Sequence, residues 1–106
     1  MAGPTFAVSR GDARGAVVLA LTGALDAFTA PDLDAAVAAA LTPGRDLVLD
    51  LRELEFLAAG GVRALLRAVE SAGRARVALR ILVGEAQYAR IVIDRIDLDG
   101  LLPLAA

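Results

Sequence analysis

Short apolar runs and four-residue apolar spacings alternate along this chain, and the alternation predicts its elements. The run at 47–51, with Leu47, Val48, Leu49 and Leu51, reads as a buried strand. A brief connection at 52–59 follows, and then Val62, Leu65, Leu66 and Val69 take the spacing of one helix face over about 61–72, with Gly73 as the stop. Strand, turn and helix in that order put the turn at the carboxyl end of a strand, where open parallel sheets gather ligands and switches. Upstream, 6–9 makes a short first strand, 11–15 is turn chemistry, and 16–21 is a second strand, apolar on both faces and therefore central. The two strands pair as a hairpin, and Gly23 ends the second. Thr29 stands as a helix N-cap, with Pro31 and Asp32 in the first turn, and Leu33, Val37 and Leu41 step along the face before Pro43 and Gly44. Downstream, 77–83 alternates as a strand. The segment 86–96 reads as a helix through Tyr88, Val92 and Ile96, because a parallel sheet needs a crossover there. The apolar tail at 98–104 is expected as a short helix or turn against the sheet.

This order makes one α/β domain over residues 1–106, with a small, mixed, mostly parallel β-sheet of about four or five strands and three to four helices. A hydrophobic content of 58% at a net charge of -2 rules out disorder. No apolar run reaches the roughly 18 residues of a membrane span. The start has neither a basic region nor an apolar core, so a cytoplasmic protein with no direct membrane insertion is expected.

The absent residue types narrow the chemistry further. There is no Cys and no His, and all 11 basic residues are Arg, which removes thiolate, imidazole and Schiff-base lysine chemistry. The acidic balance argues against a nucleic-acid partner. Neither a catalytic residue, a metal nor a cofactor is expected, and the chain reads as a binding module rather than an enzyme. Asp26 and Asp50 follow successive core strands and would suit Mg²⁺ if their loops converged; turn capping and a structural role are the plainer readings. Gly60 and Gly61 at a helix start read as close backbone packing, or as an anion site that a partner's carboxylate or a phosphate would fill. Arg63, Arg67, Glu70 and Arg74 form one helix stripe, either a solvated face with an Arg67–Glu70 pair or a docking stripe for an acidic partner. Tyr88 reads as a packing residue.

Four segments, in order and in register, carry a family resemblance. Residues 23–31, Gly-Ala-Leu-Asp-Ala-Phe-Thr-Ala-Pro, resemble the G-x-L-D-x-x-T-A-P segment of STAS domains of the anti-sigma factor antagonist type. Residues 47–57 resemble the family's LVLDLSxLxFI strand and loop, residues 61–66 the opening of its switch helix, and 90–104 its closing segment. The resemblance implies a STAS-like fold. It also implies binding to a kinase-fold anti-sigma factor in a partner-switching system that regulates transcription. Family turns read D-S-S-G, with the phosphorylated hydroxyl expected at the position held here by Gly60, while Ala58 and Ala59 stand for the Asp and the first Ser. The turn has no hydroxyl, so the switch is degenerate, and Thr29 and Ser71 are the nearest alternatives. Replacing Gly60 with Ser is expected to restore acceptance if the partner is an active kinase. The expected partner surface comprises Asp26, Thr29, Ala58, Ala59, Gly60, Gly61, Arg63 and Arg67, and a weak homodimer is left open. The resemblance implies one alternative, an accessory subunit of a lipid-transport ATPase complex on the cytosolic side.

Overall fold

The computed structural model describes residues 5–85, 87–97 and 99–105. Ala86 and Leu98, where the sequence sets the start of the third helix and of the closing tail, lie outside the described residues, as do residues 1–4 and 106. Strands β1 (Ala7–Ala13) and β2 (Ala16–Leu25) lead into helix α1 (Ala30–Ala40), and β3 (Leu47–Asp50) and β4 (Leu54–Leu57) into α2 (Ala59–Arg74). Strand β5 (Leu79–Leu82), helix α3 (Tyr88–Ile96) and the two-residue β6 (Leu104–Ala105) follow.

Strands β1 and β2 form the expected antiparallel hairpin, and the other pairings among the described residues are parallel. The sheet order is β1-β2-β3-β5-β6, with β4 also paired to β2. The α/β architecture stands, and the two added strands are the ones periodicity could not show. Strand β4 lies in what the sequence reads as a connection. It arises because the chain jogs after β3: Leu54 donates to the Leu51 carbonyl at 2.9 Å, and the resumed strand pairs with the far half of β2. Strand β6 replaces the expected terminal helix or turn, with its Leu104 beside Ile81.

The boundaries differ from the expected ones for local reasons. Strand β1 runs through 11–13, so the hairpin turn tightens to Arg14 and Gly15, both at positive φ (52° and 81°). Gly23 does not end β2; it lies inside it at φ 83°, where a Cβ would meet the Thr5 carbonyl oxygen at 1.5 Å. The register shifts at the same point, so only glycine lets β2 pass under the incoming chain and continue to Leu25. Helix α2 starts at Ala59 and runs through Gly73 to Arg74, and the left-handed residue that ends it is Arg76, at φ 57°.

The core lies between the sheet and the helices. Along β2, Val17, Leu19, Leu21 and Leu25 are buried while Val18, Ala20 and Ala24 are only half-buried. Strand β2 is therefore central, as expected, but buried on one face rather than both. Opposite it sit Leu33 and Val37 of α1 and Val62, Ala64, Leu65, Ala68 and Ala72 of α2. The alanines on the inner face of α2 let α1 approach closely. Leu66 and Val69, expected on that face, are only half-buried because the helix is rolled toward Ala64 and Ala68. Among the described residues, the other face of the sheet has no helix over it.

Candidate functional site

The turn between β4 and α2 is built by the backbone. Ala58 is extended, at φ -107° and ψ 171°, and its amide donates to the Leu25 carbonyl at 3.0 Å, which ties the helix start to the end of β2. Its own carbonyl accepts from Gly61 at 2.9 Å and Val62 at 3.1 Å. Among the described residues, no side chain caps this end of the helix. The two glycines serve close approach. A Cβ on Gly61 would lie 2.6 Å from the Leu25 carbonyl oxygen, and one on Gly60 would lie 2.9 Å from the Ala27 amide nitrogen and 3.0 Å from its Cα. Gly60 is thus a contact point with the turn after β2, and a side chain there needs that turn to move. A serine side chain at Gly60 therefore has to displace that turn before its hydroxyl is presented. Ala59, one residue earlier, is exposed.

The facing turn is held by two side chains. The Asp26 carboxylate accepts from the amides of Phe28 at 2.9 Å and Thr29 at 3.0 Å. Thr29 occupies the N-cap position of α1, but its hydroxyl does not cap the helix. It accepts from the Asp26 amide at 3.0 Å and donates to the Ala24 carbonyl at 3.0 Å. The cap reading is therefore corrected: the hydroxyl looks back into the turn, half-buried, because β2 leaves a carbonyl within reach. The same turn presents Phe28 with 94% of its surface exposed. Asp26, Thr29, Ala58, Ala59, Gly60 and Gly61 are thus brought together at one sheet edge, with exposed Arg63 one turn into α2.

Arg67 is not part of that cluster. It bridges to Asp34 of α1 through two hydrogen bonds, at 3.3 and 3.1 Å, and Glu70 pairs with Arg74 at 3.9 Å rather than with Arg67. Ser71 is half-buried in the shallow groove between α1 and α2, and its hydroxyl accepts from Arg74 at 3.4 Å.

Asp26 and Asp50 do not converge. Asp50 pairs in register with Ala20, six residues before Asp26, which lies just past the end of β2, a separation of about 20 Å along the strand direction. Asp50 instead shapes the jog after β3. It accepts from the Arg52 amide at 3.0 Å and takes a two-pronged bond from the Arg52 guanidinium at 3.0 and 2.9 Å. Those guanidinium hydrogen bonds are the main cause that holds the Asp50 carboxyl below its ordinary value; partial burial works against them. The ionised form is the one the fold favours. The stabilisation is present above the ordinary carboxylate pKa and is lost as pH falls through the lower folded value. Asp50→Asn is expected to flatten the acid limb of stability below about pH 4 and to cost up to about 1 kcal/mol at neutral pH, read by urea unfolding at several pH values. An unchanged acid limb would contradict the assignment. Asp50 also lines a depression of about 530 Å³ on the uncovered sheet face, with Val18, Val48, Arg80 and Leu82. Its walls carry both signs of charge.

Two contributors escape sequence reasoning. Gln87 ties the β5–α3 connection to the jog between β3 and β4: it donates to the carbonyls of Leu51 at 2.6 Å and Leu54 at 3.1 Å and accepts from the Gly84 amide at 3.0 Å. The other is Phe28, whose one signal in the sequence is an aromatic set inside a turn. Tyr88 stacks on Phe56 with ring centres 6.1 Å apart, a packing contact as expected.

Comparison with known proteins gives these features a setting. The family model described as "Mlab, STAS domain" matches residues 8–103. Among solved structures, the chain is similar to an anti-sigma factor antagonist from Mycobacterium paratuberculosis, with 28% identity, a TM-score of 0.78, and 94% of this chain and 85% of that one covered. A STAS-domain antisigma-factor antagonist from Rhodobacter sphaeroides shares 23% identity at a TM-score of 0.60, over 72% of this chain and 84% of that one. The Bacillus cell fate determinant SpoIIAA in its phosphorylated form shares 20% at a TM-score of 0.64, over 96% and 92%. The last two likenesses are of fold alone. No curated protein sequence matches the chain.

Proposed function

The chain belongs to the STAS domain family, and from that premise we propose that it is an antagonist that docks on a kinase-type anti-sigma factor, as a single domain acting in the cytoplasm. The complex it forms lacks the serine through which partner switching of this kind is broken. One observation carries the reading. The start of α2 is presented beside the Asp26–Thr29 turn as a docking surface would be, yet Ala58, Ala59 and Gly60 leave it without a hydroxyl. Contact then falls on Ala58, Ala59, Gly60 and Arg63, while buried Gly61 seats the helix start against β2. Asp26 and Thr29 hold the facing turn in shape, and Arg67 braces α2 against α1 from behind. Thr29 and Ser71 are poor substitutes as acceptors, since one hydroxyl is bonded inside its turn and the other sits between helices. No residue is assigned a catalytic role.

The test is displacement. Titrated into a preformed complex of a kinase-fold anti-sigma factor and its sigma factor, the chain is expected to release the sigma factor at stoichiometric concentration, followed by size-exclusion chromatography. A sigma factor that stays bound at tenfold excess would count against the proposal. Membership of the STAS family also fits a second reading, the accessory subunit of a lipid-transport ATPase complex. Co-purification with a membrane ATPase, and none with a soluble kinase-fold protein, would select it.

A further inference from the structure

Among the exposed large apolar side chains of the described residues, Phe28 stands apart, at 94% exposed against 39–59% for the others. Its backbone is not loose. Its own amide donates to Asp26, the next amide does the same, and the Thr29 hydroxyl closes the turn from within. The ring is therefore held out from the surface by a turn whose polar atoms are satisfied. Beside it in the chain, Ala27 carries only a methyl group and abuts Gly60 of the α2 start directly. One projecting ring on a turn fixed from within suits an anchor that fills a pocket.

The charges nearby say what kind of pocket. Asp26 is half-buried, Asp32 in the first turn of α1 is exposed, and Arg63 is exposed; neither Asp32 nor Arg63 forms an ion pair among the described residues. A bilayer would ask for several apolar groups and a basic surround. A nucleic acid would ask for a basic groove beside the ring. A single exposed ring on a turn flanked in sequence by Asp26 and Asp32 meets neither demand. We propose that Phe28 is the anchor of the docking surface and inserts into an apolar pocket of a folded protein partner, whose rim presents a base toward Asp32 and an acid toward Arg63. This rests on the docking reading above and adds the residue that dominates it. Preorganisation matters to it: a turn already fixed loses little freedom on binding, so Asp26 acts as a positioning residue for the ring.

The test does not depend on knowing the partner beforehand. With the photo-crosslinking residue p-benzoylphenylalanine at position 28, irradiation in the cell that makes the chain is expected to give one heteromeric adduct. The same residue at exposed Arg76 is expected to give none. The adduct is identified by mass spectrometry, and the purified protein is titrated against the chain. Phe28→Ala is expected to weaken binding roughly 30-fold or more, with Phe28→Tyr within about fivefold of the parent. The melting temperature of Phe28→Ala is expected to be unchanged, since the ring stands in solvent. An adduct with a kinase-fold protein supports both this inference and the docking proposal. An adduct with a different protein that meets the affinity criterion supports the anchor and sinks the kinase-fold partner. An adduct with a second copy of the chain or with lipid, no adduct above the Arg76 control, or a Phe28→Ala affinity within about threefold of the parent would overturn the anchor.

Discussion

Replacing Ala59 with Ser is expected to turn this chain into a substrate of a kinase-fold partner, whereas replacing Gly60 with Ser is not. Ala59 is exposed at the first position of α2, and a hydroxymethyl group there has solvent to enter. Position 60 is shut by the Ala27 backbone, 2.9 Å from where a Cβ would stand. A Ser at 60 would have to push the turn aside, at a cost of about 1–3 kcal/mol by the usual measure of overpacking. A phosphate at Ala59→Ser adds about -1.5 to -2 charges at the contact. The complex with the partner is then expected to weaken by about tenfold or more once ATP is supplied, because like charge and desolvation both oppose docking. Labelling with radioactive ATP and calorimetric titration read the two effects. Labelling of Gly60→Ser at a rate equal to or above that of Ala59→Ser would contradict the geometry.

The second large effect is a pair of opposite signs within one helix. Alanine is normally preferred over glycine in a helix interior by about 0.5–1 kcal/mol. Gly73, in the last turn of α2, has open space where a Cβ would stand, with no neighbour within 4 Å, so Gly73→Ala is expected to stabilise by about that amount. Gly61 is buried against β2, where the same methyl group would meet a carbonyl oxygen at 2.6 Å and Leu57 and Leu25 side-chain carbons at 2.8 and 2.9 Å. Gly61→Ala is expected to destabilise by about 1–3 kcal/mol despite its better propensity. Urea unfolding at constant m-value separates the two. A stabilised Gly61→Ala would mean that α2 does not press on the end of β2 as described.

The fold is legible where one residue type repeats at one period. Leu33 and Val37, the run from Leu47 and the spacing of Val62 and Leu65 each sit on the face where the core is. Residues 91–93 are helix rather than strand, as the crossover requires, because topology outweighs the β-branched preference there. Legibility ends where structure depends on a distant partner. Residues 54–57 are too few to show a period, and they are a strand only because the far half of β2 extends alongside. Gly23 looks like a stop by type, but its positive φ serves a crossing with Thr5 that no local pattern encodes. At the site, the absence of a hydroxyl is plain from the letters at 58–60. The contact of Gly60 with Ala27 is not, because it joins segments far apart in the chain. Arg67 likewise belongs with Asp34 on another helix rather than with its own stripe. Phe28 is silent in the sequence because a single aromatic in a turn carries no period at all.

The central claim is that a docking surface persists at the start of α2 while its phosphorylation handle is gone. Calorimetric titration of the unmodified chain into a kinase-fold anti-sigma factor, once with ADP and once with ATP and Mg²⁺, tests it most directly. The expected result is tight binding in both, with dissociation constants within about threefold and no phosphate on the recovered chain. Binding that is lost under ATP, with phosphate found on Thr29 or Ser71, would contradict it, as would no binding under either nucleotide.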